Sequence, residues 1–313
     1  MLIHRTKNYL IKLGPNHWAV RVALRVAAAR KGWKVEFGGD GIHMVRNQRE
    51  LILGTSDFVY VPWIVDFGEF YLDTMLPDRQ DRHGVWDYTK PGWHRYRSSG
   101  LEFYAPALPE EDLDSAYTHS YKPVNGDTVW DVGAHAGYTS YQFSKLVGPT
   151  GRVYAWEPDA SNYSCLLRNI ERHKLENVTP VHKALAGETG RVRFEMDGTM
   201  ASGIQDYLEY PDAGVNVQAV DGITIADACA EFGIPRYVKM DIEGAEVAVI
   251  RSSLEFISRH PIEWAIDTHH RIDNRFTYSE VENLLRSAGY STHSSTDYGN
   301  WWCTWASPLP RAA

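Results

Sequence analysis

From about residue 121 the chain alternates short apolar runs with amphipathic stretches. Thr128-Val-Trp-Asp-Val, Arg152-Val-Tyr-Ala-Trp, Asn177-Val-Thr-Pro-Val, Tyr237-Val-Lys-Met-Asp and Ile262-Glu-Trp-Ala-Ile-Asp read as strands. Their nearly continuous apolar character marks strands covered on both faces. Between and after them, helical spacing predicts helices over 138–146, 161–173, 225–232, 246–257 and 279–287. Val192-Arg-Phe-Glu and 215–220 are further strand-like runs, and two last strands are expected around Tyr290 and over 301–305. Strand–helix alternation of this kind predicts a doubly wound, mostly parallel α/β sheet.

Residues 1–120 have a different texture, irregular and rich in Trp, Tyr and Arg. One helix stands out over 18–30. Arg21 and Arg25 share one face, while Val20, Leu24, Ala27 and Ala28 lie on another. A stripe of Ala and Val without deep anchors favours packing on its own domain or on a second copy of the chain. A helix lying on a membrane surface is the alternative. Runs at 41–46 and 50–54 predict a small hairpin, and the Gly- and Pro-rich stretch 76–109 reads as loop. The organisation expected is an N-terminal α+β extension over 1–120, capping a substrate or mediating oligomerisation, and a ligand-binding domain over 121–313.

Length and composition narrow the classes. A chain of 313 residues with 43% hydrophobic and 23% charged residues can build a core without disulfide or metal staples. The net charge of −8 disfavours a general nucleic-acid binder, which needs a basic face. Cys165, Cys229 and Cys303 are sparse, odd in number and far apart, which suits a reducing compartment. No apolar run reaches membrane-span length, and charges interrupt residues 1–14 too often for a signal-peptide core. The expected location is cytoplasmic.

Three motifs carry chemistry. In Val129-Trp-Asp-Val-Gly-Ala-His-Ala-Gly-Tyr, Asp131 closes a strand, and Gly133, Ala134, His135 and Gly137 form the turn into a helix. Such glycines let backbone approach a ligand at a helix N-terminus. A dinucleotide fingerprint would need glycine where His135 and Tyr138 stand, which argues against NAD. Glu157 closes the second strand and can accept two ribose hydroxyls, because Asp159 is available to cap the next helix. In Val238-Lys-Met-Asp-Ile-Glu-Gly-Ala-Glu, Asp241 and Glu243 sit at a strand mouth, where ligands of doubly wound sheets bind; Glu246 suits the first helical turn equally well.

DVGAHAGYTS, WEP and VKMDIEGAE, in this order and spacing, resemble the FkbM family of S-adenosylmethionine (SAM) methyltransferases. The likeness covers roughly residues 120–290 and includes Val220-Asp-Gly-Ile, where the family usually has Leu-Asp before a short helix. It implies a Rossmann-like class I fold with a seven-stranded sheet and SAM as cofactor. Asp131, Gly133, Ala134, His135 and Gly137 would then serve the methionine end and turn, Glu157 the ribose, Lys183–Leu185 with Ala184 the adenine border, and Ser202 a loop over the cofactor. Asp241 borders the same mouth. The family's usual Glu-x-His at the fifth strand is Asp267-Thr-His269 here.

The reaction implied is O-methylation of a hydroxyl on a small polyhydroxylated acceptor, a glycan sugar or a polyketide-type product, with no nucleic acid as partner. His269 is the preferred base, oriented by Asp267, with Asp241 the runner-up and Glu243 nearby. His270 is expected to point elsewhere. As an alternative, Asp241, Glu243, Asp267 and His269 would hold a divalent cation, Mg or Mn. A non-catalytic SAM- or nucleotide-binding module with a protein-binding N-terminal region is the second functional class. A Rossmann oxidoreductase is the third.

Overall fold

A seven-stranded sheet organises the C-terminal two-thirds of the chain. The computed structural model describes residues 13–80, 84–109, 114–196, 202–207, 216–272, 275–297 and 302–310. Its strands are β1 (Thr128–Val132), β2 (Arg152–Trp156), β3 (Val178–Val181), β4 (Tyr237–Met240), β5 (Glu263–Asp267), β6 (Tyr290–Ser295) and β7 (Cys303–Pro308), in the order β3-β2-β1-β4-β5-β7-β6. The first five run parallel, and β7 is antiparallel to both β5 and β6. This is the doubly wound α/β sheet that the pattern predicts. The order reverses between β1 and β4, which opens a crevice at their carboxyl ends. Register places Asp131 beside Lys239 and Val132 beside Met240, so the two motif-bearing strands end together.

Helices α1 (Tyr138–Val147), α2 (Ala160–His173), α3 (Ile225–Phe232), α4 (Glu246–Ser252), α5 (Leu254–Arg259) and α6 (Tyr278–Ser287) accompany the sheet. Where one helix is expected over 246–257, there are two, joined at Ser253, a non-helical residue that caps both. The two faces of the sheet carry separate apolar clusters. Trp130, Trp156, Val238, Met240, Trp264 and Ile266 belong to one. Val129, Val153, Ala155, Tyr237 and Ala265 belong to the other. Alternate residues of each strand thus bury on opposite faces, which is why the strands read as unbroken apolar runs. A four-stranded sheet, built on the long pairing of Gly190–Met196 with Asn216–Ile223, follows β3.

The chain divides into two compact units, one within 1–109 and one within 110–313. The boundary lies ahead of the expected position at 120. The short helix Asp114–Tyr117 belongs to the second unit, where the Trp305 indole donates to Ala116 O at 2.7 Å and the Tyr237 hydroxyl donates to Tyr117 O.

The first unit holds a five-stranded sheet that includes the expected hairpin, Ile42–Arg46 with Arg49–Leu53. The stretch read as loop is not one. Arg79–Gln80 and Gly84–Tyr88 join this sheet, and Gly92–Arg95 pairs with Glu102–Ala105. Short strands between Gly and Pro turns escape a pattern argument. The helix Trp18–Ala29 buries Val20, Leu24 and Ala28, whereas Ala27 faces out. Arg21 and Arg25 lie over the Phe37 ring at 5.0 and 5.4 Å, and Arg25 donates to Val35 O. The arginines therefore bind their own unit, as the packed-helix reading requires. No described helix is long and apolar enough to cross a membrane.

Candidate active site

The turn after β1 is shaped by positive backbone angles. Gly133 has φ +78°, His135 +48° and Gly137 +89°. A Cβ on Gly133 would lie 1.8 Å from Asp241 O, so only glycine lets this turn pack against the end of β4. A Cβ on Gly137 would meet Leu166 of α2 at 2.5 Å. Backbone N–H groups of Gly133 and Ala134 donate to Trp156 O, which ties the turn to the end of β2.

Asp131 is fully buried. It accepts from Ser140 Oγ at 2.6 Å and pairs with Lys239 Nζ at 3.2 Å. Lys239 also donates to Gly133 O at 2.7 Å. These contacts assign Asp131 to fixing the turn. Lys239, which pattern reading leaves without a role, is the group that neutralises it.

Asp159 is expected to cap the next helix and so leave Glu157 free, but Glu157 is not free. Asp159 does cap α2, accepting from Ser161 N and Asn162 N. Glu157 nevertheless accepts His135 N–H and Asp159 N–H, each at 2.8 Å. Each oxygen keeps a second lone pair. Burial dominates over these donors and raises its pKa to about 7. Ser202 Oγ donates to Asp159 at 2.8 Å, which places it beside this segment; Met200 and Ala201 of the expected cofactor loop lie outside the described residues. Ala184 is buried in a strand pair with Gly222, and Lys183 pairs at the surface with Glu231.

At the ends of β4 and β5 stand Asp241, Glu243, Asp267, His269 and His270. Asp267 is buried, and its Oδ1 accepts His269 Nδ1–H at 2.5 Å. The His269 side chain is 44% exposed. Burial disfavours its charged form, yet the Asp267 carboxylate outweighs this and raises the pKa. The bond at Nδ1 selects the tautomer whose Nε2 carries a lone pair.

His270 does not point elsewhere. It is buried, its ring centroid is 4.3 Å from that of His269, and its Nδ1 lies 2.9 Å from Glu246 Oε1. Its Nε2 is 3.5 Å from Glu243 and 3.7 Å from Asp241. Burial opposes its protonation, but Glu246 and Glu243 prevail and raise its pKa well above the ordinary value. The same buried setting raises the pKa of Glu243. For Asp241, burial is outweighed by Lys239, His270 and His269, and its pKa is lowered.

The contacts of three residues here could not be read from the sequence. His270 follows β5, which ends at Asp267, so strand alternation no longer governs its direction. Tyr117 reaches Asp241 Oδ2 at 3.4 Å from the distant Asp114–Tyr117 helix. Glu246 begins α4, as its acidic character allows, and also accepts from Ile242 N and Gly244 N. The four residues expected to share a cation do not form one set. Among the described residues, the potential ligand groups are Asp241–Glu243–His270 and Asp267–His269–His270.

The model of the methyltransferase FkbM domain matches residues 131–292, more than half of the chain. The chain belongs to the FkbM methyltransferase family. The FkbM match begins at Asp131 within β1 and stops within β6, so it includes the glycine turn and the carboxyl ends of β1 to β5. Among curated proteins, it is similar to the catalytic subunit of a tRNA (adenine(58)-N(1))-methyltransferase of Yarrowia lipolytica, with 27% identity over 175 residues, 52% of this chain and 44% of the relative. Among solved structures, methyltransferase FkbM from Methylobacillus flagellatus KT has 16% identity and a TM-score of 0.43, with coverage of 94% of this chain and 60% of that one. Aeropyrum pernix fibrillarin, solved with natively bound S-adenosyl-L-methionine, has 12% identity and a TM-score of 0.40, with coverage of 69% and 94%. The FkbM chain thus spans less than half of its yeast relative and 60% of the Methylobacillus structure.

Proposed function

We propose that this FkbM domain transfers a methyl group from SAM to a hydroxyl of a small polyhydroxylated acceptor, a glycan sugar or polyketide-type product. The described residues fit the cofactor. Gly133 and Gly137 keep Cβ atoms out of the turn, and Glu157 retains lone pairs for ribose hydroxyls. Gly133, Ala134, His135 and Gly137 would line the methionine side, Glu157 the ribose and Ala184 the adenine border. When bound, SAM supplies a methyl group on a sulfonium, whose leaving group needs no protonation.

What remains for the protein is to hold the acceptor oxygen and take its proton. Holding reacting groups in line is worth roughly 7–11 kcal/mol, and a positioned base adds about 10²–10⁴-fold. The observation that carries the reading is the Asp267–His269 pair: a buried carboxylate on Nδ1 of a half-exposed imidazole. In that tautomer Nε2 accepts the hydroxyl proton as the new C–O bond forms, and Asp267 stabilises the resulting imidazolium. Asp241 is held low by Lys239 and two histidines, so it serves as a charged binding group rather than a base.

The name of the yeast relative supports a second reading, with an RNA base as acceptor. The net charge of −8 weighs against it. The test incubates the protein with methyl-labelled SAM and panels of sugars, hydroxylated polyketides and transfer RNA. Label on a sugar or polyketide oxygen supports the proposal, and label confined to RNA bases refutes it. SAM binding without transfer to any acceptor would favour the non-catalytic module.

A further inference from the structure

We infer that Asp241, Glu243 and His270 form a binding site for one divalent transition-metal ion of the manganese or zinc type. A buried imidazole stands beside the two carboxylates. His270 is 5% exposed, and neither of its ring nitrogens makes a hydrogen bond of good geometry. Its Nε2 is aimed between Glu243 Oε2 and Asp241 Oδ1, at 3.5 and 3.7 Å, and Asp241 Oδ1 also lacks a hydrogen-bond partner. Those separations are long for hydrogen bonds. They suit ligands of a common ion, since bonds of about 2.1 Å set neighbouring donors about 3.0–3.4 Å apart and opposite donors about 4.2 Å apart.

The surroundings prepare the imidazole for this role. Glu246 Oε1 lies 2.9 Å from His270 Nδ1, on the side of the ring away from Glu243 and Asp241, so a metal at Nε2 displaces the proton there and leaves the imidazole paired with Glu246. A carboxylate behind a ligating histidine is the usual orienting arrangement in metal sites. Glu246 is itself fully buried and fixed by the N–H groups of Ile242 and Gly244, the backbone that carries Glu243. The alternative group, Asp267–His269–His270, is less suitable, because Asp267 Oδ1 and His269 Nδ1 are already bonded to each other. One nitrogen and two oxygens favour a transition ion over magnesium or calcium, which prefer oxygen alone. Three protein ligands leave positions open for water or acceptor oxygens beside His269.

The inference is independent of the acceptor and of methyl transfer, because its readout is bound metal. Metal-stripped protein is titrated with Mn²⁺ while free ion is followed by electron paramagnetic resonance, and with Zn²⁺ by calorimetry. One ion per chain is expected. Glu243→Gln and Asp241→Asn should each weaken binding at least tenfold, and Glu246→Gln about 10–100-fold. Asp267→Asn should change it less than threefold. Thermal melts by circular dichroism check that the variants fold, and Glu243→Gln, which keeps side-chain shape, carries the test if another does not. No stoichiometric uptake of either ion by wild-type protein at millimolar concentration would overturn the inference. So would binding that survives Glu243→Gln and Asp241→Asn but is lost in Asp267→Asn.

Discussion

Replacing Glu157 by Gln removes a titration that the fold places at neutral pH. The wild-type carboxyl is buried, accepts two backbone N–H groups, and has a pKa raised from 4.5 to about 7. Because the folded pKa lies above the unfolded one, the favourable contribution is full below about pH 4.5. It is lost as pH rises through about 7, since the unfolded chain releases the proton first. A shift of this size corresponds to ~3 kcal/mol, of which ~2.5 kcal/mol falls between pH 5 and 8. Urea unfolding of both proteins at pH 5, 6, 7 and 8 isolates this quantity as the change in their stability difference. The same ionisation governs ribose binding, since only the carboxylate is a pure acceptor. The ionised fraction rises from roughly 9% at pH 6 to 91% at pH 8, so the wild-type advantage over Glu157→Gln in S-adenosylhomocysteine affinity should grow about tenfold. Stability differences that do not vary with pH would refute the buried-carboxyl argument. A pH-independent affinity ratio would refute the ribose assignment.

Two further substitutions probe the frame beneath the site. Lys239→Met leaves the Asp131 carboxylate buried without its cation and should cost about 3–5 kcal/mol in urea unfolding, with partial recovery in Asp131→Asn/Lys239→Met; a loss below 1 kcal/mol would contradict the pairing. Gly133→Ala forces a side chain against Asp241 O at a positive φ and should cost several kcal/mol and abolish S-adenosylhomocysteine binding by calorimetry; wild-type affinity in this variant would show that the turn is not closely packed.

The sheet was legible in the sequence because each central strand is apolar on both sides. Asp131, Glu157 and Asp241 were legible because each closes or follows such a strand. The helix Val61–Thr74 was not legible. Pro62 and Gly68 interrupt its pattern, and Gly68 is required because a Cβ there would lie 2.7 Å from Trp33, a contact no local rule shows. The second function of Glu246 depends on His270, and the constraint on Glu157 depends on the N–H of His135 from a neighbouring turn. In these cases the decisive partner comes from another element. Local spacing identifies which residues carry chemistry at the strand ends, but the way their side chains pair is set by tertiary register.

His269 is the base of the proposed hydroxyl methylation. Its most direct test compares wild-type and His269→Ala in turnover of a hydroxyl acceptor, followed by S-adenosylhomocysteine release, and in S-adenosylhomocysteine binding by calorimetry. Loss of the base should lower kcat about 10²–10⁴-fold with the dissociation constant changed less than threefold. Turnover within a few-fold of wild type would contradict this role.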